Sequence, residues 1–304
     1  MFKKLSIKKL WSRTHKRHFN LLVEWTNCCN INCQICPIDL PGMRPSGHMS
    51  LERWKKILDD CTENGHYVNW VHHLGEPLLW RHFDEGMRLW KESGLSSKGH
   101  ISTNGVLLDK KKIETIKGTN IEFIRICLDT LRPDVYRKIR NNDKHGVVIE
   151  NIRDILESAP GLSVQIQLMR TNLNADEEPE EILEYFGRKK NLAVFYTTAM
   201  DLGKGFDFRA MDDSRADPRQ CNKVDYEHCV IGWYGTVGLC CADYRLDNKL
   251  GNIKNLSISE VFDGEYANKI RRMIRQGDFS LAPACATCSM DHMKPLIRKV
   301  IGPS

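Results

Sequence analysis

The chain has 304 residues, 41% of them hydrophobic and 28% charged, a globular composition that excludes long disorder, collagen and coiled-coil rods. A net charge of +6 is mildly basic and compatible with an anionic substrate, but no recognisable nucleic-acid-binding module accompanies it. No apolar run approaches the roughly 18 residues of a membrane span, and the basic N-terminal arm, residues 1–19, is followed by no secretory apolar stretch, so the expected location is cytoplasmic. Twelve cysteines in such a chain point to metal or redox chemistry, since cytosolic thiols are kept reduced.

In chain order, short β-type runs alternate with amphipathic helical stretches. Strands are expected at 20–26, 67–73, 99–103, 121–128, 162–169 and 192–198. Between them the helix over 51–64 has Ser50 as cap, Leu51, Trp54, Ile57, Leu58 and Cys61 on one stripe, and Gly65 as its stop. Further helices are expected over 82–93, 110–117, 133–140, 147–158 and 178–189. Six βα units demand a parallel sheet with helices outside, because parallel strands need long right-handed crossovers. The fold class is therefore α/β, an open partial (β/α)6 barrel over residues 20–200. A polar linker follows, and residues 201–304 carry a small α+β domain with a hairpin, 228–231 and 236–241, and one helix over 257–276.

Directly after the first strand come Cys29, Cys33 and Cys36, spaced C-x3-C-x2-C. A structural zinc and a fully protein-ligated cubane each want four ligands, so three close thiols imply a site with one open position. Zinc completed by a distant His or by Cys28 is the alternative reading of that spacing. A second set, Cys221, Cys240, Cys285 and Cys288, offers four thiols suited to a closed zinc or iron–sulfur site. Cys229 competes with Cys221, and Cys241 with Cys240. Cys28, Cys61, Cys127, Cys229 and Cys241 otherwise read as small buried hydrophobes.

The first triad resembles the signature of the radical SAM superfamily, and the resemblance extends along the barrel. Gly75-Glu76-Pro77 ends the second strand as the family's Gly-Glu-Pro motif does, with Leu74 in place of the first of its paired glycines. Thr103-Asn104-Gly105 is similar to its Thr-Asn-Gly, and Asp129 falls in its Ser-x-Asp segment, where Cys127 replaces the Ser. Gln167 and Arg170 lie where the family often contacts the ribose or carboxylate of S-adenosylmethionine (SAM). The resemblance implies a [4Fe–4S] cluster on Cys29, Cys33 and Cys36, with SAM at its open iron and Glu76 toward the SAM amino group. Electron transfer to SAM would give methionine and a 5′-deoxyadenosyl radical that takes a hydrogen atom from substrate. An external donor such as flavodoxin or ferredoxin would supply the electron.

The last 85 or so residues resemble the SPASM/Twitch auxiliary domain, from the Gly235-x4-Cys240 spacing to the final Cys285-x2-Cys288. No Cys follows Cys288, so the resemblance implies one auxiliary [4Fe–4S] cluster, on Cys221, Cys240, Cys285 and Cys288. It further implies an oxidoreductase for a small polar substrate, an alcohol of a sugar or aminocyclitol, with the auxiliary cluster as electron acceptor. The alternatives are a maturase of a ribosomal peptide, disfavoured by the short stretch before the first strand, and an epimerase in which Cys127 returns a hydrogen atom. A zinc-binding structural protein is the non-enzymatic alternative. His72 and His73 flank the Gly-Glu-Pro segment, and strand alternation would turn only one of them inward.

Overall fold

The computed structural model describes residues 18–198, 219, 221, 224, 228–286, 288 and 298–302. Most of the N-terminal arm and the expected linker over 201–218 lie outside them. Six parallel strands form the body of the sheet: β1 (Asn20–Val23), β2 (Tyr67–Trp70), β3 (His100–Thr103), β4 (Phe123–Cys127), β5 (Ser163–Arg170) and β6 (Leu192–Thr198). Each neighbours the next in chain order, which is the open βα layout expected. The C-terminal strands then extend both edges of this same sheet. β7 (His228–Ile231) runs parallel to β1, and β8 (Thr236–Gly238) and β9 (Lys249–Asn252) follow antiparallel. On the far side β10 (Arg298–Ile301) pairs antiparallel with β6. Neither β9 nor β10 was expected from the sequence.

Helices α1 (Leu51–Asn64), α2 (Phe83–Glu92), α3 (Lys110–Thr119), α4 (Pro133–Arg140), α5 (His145–Ser158) and α6 (Pro179–Tyr185) lie in the crossovers after β1 to β5, with both α4 and α5 after β4. α1 keeps its expected signals: the Ser50 side chain accepts from the Arg53 N–H, and Gly65 takes the left-handed conformation at φ 74°. The expected helix over 257–276 is two helices, α7 (Ile258–Phe262) and α8 (Glu265–Arg275). Gly264, extended at ψ 172°, separates them, and a Cβ there would lie 2.2 Å from the Glu260 carbonyl oxygen. α6 is shorter than expected because Gly187 and Arg188 turn to positive φ. A last short helix, α9 (Pro283–Ala286), precedes Cys288.

Strand alternation sorts the side chains. On β4 and β5, Ile124, Ile126, Val164, Ile166 and Leu168 are wholly buried toward the helices. The opposite face carries Arg125, Cys127, Gln165 and Gln167, paired in register as Arg125 with Gln165 and Cys127 with Gln167. The concave face is thus polar, which suits a ligand cavity better than a packed core.

Beneath the cysteine loop lies an aromatic block of Trp25, Trp54, Trp80 and Trp90, each 1% exposed or less. Trp25 stacks on Trp80 at 4.6 Å and meets Trp54 edge-on at 5.3 Å. Two of the indole N–H groups find backbone partners, Trp54 donating to the Gly86 carbonyl and Trp80 to that of Met49, while those of Trp25 and Trp90 are buried without one. Gly86 is needed here, since a Cβ would come within 2.1 Å of the Trp80 ring. Truncating Trp54 to Ala is expected to lower stability by about 3–5 kcal/mol, read as a fall in the chemical-denaturation midpoint of the purified protein.

Candidate active site

The first cysteine loop leaves β1 and passes across the carboxyl ends of the strands. Strand β1 ends at Val23 and β2 at Trp70, earlier than expected, so Thr26 to Cys28 and Val71 to Glu76 are free to approach one another. They do so at Gly75. Its φ is 76°, and an added Cβ would stand 2.6 Å from the Thr26 carbonyl oxygen and 2.7 Å from that of Cys28. The Glu76 N–H then donates to the Cys28 carbonyl at 2.8 Å. Glycine here is a requirement of contact between two backbones.

Cys29, Cys33 and Cys36 line one cavity of about 300 Å³ together with Gly75, Glu76, Thr103, Asn104 and Cys127. Glu76 is 1% exposed. Its carboxylate accepts from the Leu78 and Asn104 N–H groups and the Thr103 hydroxyl, at 2.8 to 3.0 Å. Burial still pushes its carboxyl up to about 7. Glu76 therefore ties the end of β2 to the end of β3 and keeps one lone-pair direction free. Pro77 stands behind it, buried, as the first residue of a short 3-10 turn.

The sulfurs have the donors an iron–sulfur site uses. The Asn104 side-chain amide points at the Cys29 sulfur at 3.7 Å, and an Arg140 N–H points at the Cys33 sulfur at 3.6 Å. Burial pushes the Cys29 thiol up to about 12, so a metal must displace its proton. Three thiols on one cavity wall, with N–H donors on two of them and a buried carboxylate beside them, are a donor set that fits a cluster with SAM at its open iron.

Asp129 is wholly buried and outside the cavity wall, and its role is indirect. It forms an ion pair with Arg140 at 2.5 Å and accepts from the Met169 N–H at 2.8 Å, aiming the guanidinium at Cys33. Arg140, at the end of α4, was missed by sequence reasoning because it belongs to no motif. Gln167 sits behind Cys127, whose thiol lies 3.8 Å from its side-chain oxygen. Arg170 is not brought to the site. Its guanidinium binds the Asn174 and Ala175 carbonyls and Glu178 and packs on Tyr196, so it closes the loop after β5.

Both His72 and His73 line the cavity, contrary to the expectation that only one would, because β2 has ended and alternation no longer applies. Burial pushes His72 down to about 4. His73 contacts the Cys241 carbonyl oxygen at 3.0 Å and approaches Glu24 at 3.5 Å. Glu24, also missed, has no exposed surface. Arg44 grips it with two hydrogen bonds of 2.7 and 2.8 Å, and the N–H groups of Leu74 and Trp233 donate to it at 3.3 Å.

Cys221 and Cys288 both lie near enough to Cys285 to act on its thiol electrostatically; burial, first of all, pushes that thiol up to about 11. The Asn248 amide donates to the Cys285 sulfur at 3.3 Å, and the Ala242 N–H to that of Cys240 at 3.4 Å. Cys229 points elsewhere. It is wholly buried in β7 beside Cys61, where burial pushes its thiol up. Cys241 lines the first cavity with Ala242 and Tyr244.

An open parallel α/β barrel with a three-thiol loop at its carboxyl ends is the scaffold of an iron–sulfur enzyme with an open iron. The radical SAM superfamily model matches residues 23–186, and an iron–sulfur cluster-binding domain, SPASM, matches residues 221–289. The chain belongs to the radical SAM superfamily. It is a radical SAM enzyme, with a [4Fe–4S] cluster and SAM at its first site and auxiliary iron–sulfur binding in its C-terminal region. Curated relatives include a GTP 3′,8-cyclase of Limosilactobacillus fermentum, 26% identical over 61% of this chain and 54% of the relative. Another, of Helicobacter pylori, is 27% identical over 66% of this chain and 65% of the relative. The chain thus spans about half to two thirds of the length of these relatives. Among solved structures, BtrN in complex with AdoMet and 2-DOIA shares 19% identity and a TM-score of 0.60, covering 91% of this chain and 95% of that one. Streptococcus suis SuiB bound to S-adenosylmethionine shares 16% identity and a TM-score of 0.63, covering 87% and 70%. These likenesses are of fold. Among the described residues no helix is long and apolar enough to cross a membrane.

Two outcomes are expected from this geometry. Gly75→Ala, strained at φ 76° and pressed against two carbonyls, should lose iron from the first site, measured as iron per chain after anaerobic reconstitution. Burial pushes Glu24 up, but hydrogen bonds from Arg44 and His73 outweigh it and hold the carboxyl at about 2, against 4.5 unfolded. A depressed acid stabilises fully above its unfolded value, so roughly 3 kcal/mol is lost as pH falls from about 5 to 2. Glu24→Gln should flatten that limb of the stability-against-pH curve.

Proposed function

We propose that the protein is an oxidoreductase that removes a hydrogen atom from an alcohol-bearing carbon of a small polar substrate and passes a second electron to an auxiliary cluster. In this reading Cys29, Cys33 and Cys36 hold the first cluster, and Cys221, Cys240, Cys285 and Cys288 hold one auxiliary [4Fe–4S] cluster. Domains would fall at 20–200 and 201–304. The observation that carries the reading is the shared wall: Cys241, one peptide bond from Cys240, lines the cavity of the first triad. An electron leaving a substrate there needs to cross only a residue or two to reach an acceptor at Cys240.

When bound, the reduced cluster and SAM supply a 5′-deoxyadenosyl radical that abstracts hydrogen, and the chain's own residues position the substrate. Gly75 and Glu76 shape the wall toward the SAM amino group. Asn104 and Arg140 place N–H donors on the cluster sulfurs. His72, held neutral by burial, stands on the cavity wall as a candidate hydrogen-bond partner that orients the substrate hydroxyl. The physiological electron donor would be a flavodoxin or ferredoxin.

Nucleotide cyclisation is the second reading, favoured by the names of the curated relatives. The deciding experiment is anaerobic reconstitution, iron and sulfide analysis, and assay of 5′-deoxyadenosine release with candidate alcohols and with GTP. Wild type is expected to hold about eight irons in two cubanes, and the Cys29, Cys33, Cys36 triple Ala variant to release no 5′-deoxyadenosine. Ala at Cys221, Cys240, Cys285 and Cys288 should leave about four irons and abolish the oxidised product while sparing SAM cleavage. Wild-type turnover of GTP without an oxidised alcohol would move the assignment to the second reading.

A further inference from the structure

Arg140 ends α4 and faces the opposite way from its neighbours. Arg137 and Lys138, on the same last turn, are exposed to solvent, as cations at a helix C-terminus ordinarily are. Arg140 is 7% exposed and lines the cavity, where among the described residues it is the one permanent cation. Burying a guanidinium is costly unless its donors are matched. One side of this one pairs with Asp129 at 2.5 Å, and a terminal N–H points at the Cys33 sulfur at 3.6 Å.

The distance from guanidinium to sulfur is held from both ends. The Gln34 N–H donates to the Ile139 carbonyl at 2.9 Å, and Cys33 and Ile35 share an apolar cluster with Val135 and Ile139, so the cysteine loop is docked on α4. Asp129 braces the guanidinium from behind. It is wholly buried, stands at φ 70°, and its second carboxylate oxygen accepts from the Met169 N–H. The two sulfurs with donors are thus treated differently: Cys29 faces a neutral amide, that of Asn104, and Cys33 faces a cation.

Together Asp129 and Arg140 form a dipole with its positive end at Cys33. Burial pushes the Cys33 thiol up, and of the two charges beside it the attraction of Arg140 outweighs the repulsion of Asp129. A cubane held by three thiolates is already anionic, and reduction adds one more negative charge. A buried cation against a ligand sulfur therefore stabilises the reduced form more than the oxidised one, with little water to screen it. The N–H contact acts in the same sense, since it strengthens as the sulfur gains charge.

We propose that Arg140, oriented by Asp129, raises the reduction potential of the first cluster through Cys33 and so brings it within reach of the external electron donor. This goes beyond the oxidoreductase reading and does not depend on it, because it concerns the first cluster alone and no substrate.

The test reads a potential and no turnover. Anaerobically reconstituted holoenzyme is taken through a mediated redox titration without SAM, followed by electron paramagnetic resonance. The first cluster is recognised as the one whose reduced signal changes when SAM is then added, since only an open iron can bind it. Arg140→Met should lower the reduced-to-oxidised ratio of that cluster at least tenfold at the wild-type midpoint, about 59 mV for a one-electron couple, while the auxiliary cluster keeps its midpoint. Arg140→Lys, which keeps the charge and loses the fork, should fall between. Asp129→Asn combined with Arg140→Met removes both charges and leaves no bare carboxylate, and Asn tolerates the left-handed backbone at position 129. That double variant should shift the first cluster the same way by a smaller amount. A ratio in Arg140→Met within twofold of wild type, or a double variant at or above the wild-type midpoint, overturns the proposal. So does loss of first-site iron in all three variants, which would make Arg140 a brace for the cysteine loop.

Discussion

Three stretches of chain that are far apart in sequence converge on the carboxylate of Glu24. It is the residue after β1, and it takes both arms of Arg44 from the loop beyond the cysteines, the Leu74 N–H from the approach to Gly-Glu-Pro, and the Trp233 N–H from the β7–β8 turn. Every acceptor direction is used and no solvent reaches it. A bidentate pair in such a setting is weak as a source of net stability, because desolvation offsets most of the attraction, but removing one partner leaves a bare buried charge. Its consequence is therefore geometric. The cysteine loop, the wall that would face SAM and the C-terminal turn cannot shift separately without unpairing Glu24.

The motif residues act mostly on one another. Glu76 orders Thr103 and Asn104, Asn104 in turn approaches Cys29, and Asp129 sets Arg140, which approaches Cys33. Two such relays end on two of the three sulfurs. Each begins at a carboxylate with 1% exposure or less, so each sulfur donor is fixed by a group that cannot relax into water. Preorganised donors of this kind tune an iron–sulfur centre through hydrogen bonds to its sulfurs.

The six-strand order, α1 and its caps, and the loop that gathers Cys29, Cys33 and Cys36 could be read from periodicity and spacing, since those depend on neighbours in sequence. The features that escaped depend mainly on contacts between distant parts of the chain. Glu24 and Arg140 carry no local signal, and His72 and His73 were misjudged because β2 ends at Trp70, before them, so strand alternation does not reach them. Arg170, which sequence placed near SAM, is captured by carbonyls five and fewer residues along its own loop. The break at Gly264 was missed because the apolar pattern runs through it, from Ile258, Val261 and Phe262 to Ala267, Ile270 and Ile274.

Sheet continuity explains how Cys241, the neighbour of Cys240 in the second set, comes to line the cavity of the first. β7 pairs with β1 over its full length, Asn20 opposite His228 through Val23 opposite Ile231, so the C-terminal hairpin is registered to the barrel by backbone hydrogen bonds rather than by a linker. Beyond β8 the chain meets Cys240 and Cys241. The Arg44 Nε donates to the Tyr244 carbonyl at 3.1 Å, and His73 contacts the Cys241 carbonyl. Both contacts lead back to Glu24, through Arg44 and through His73. The position of Cys240 and Cys241 against the first cavity is thus set by a sheet register and one buried carboxylate. In the proposed reaction an electron would pass between the two centres, and because electron transfer falls off steeply with distance, that step would depend on stiffness in this place.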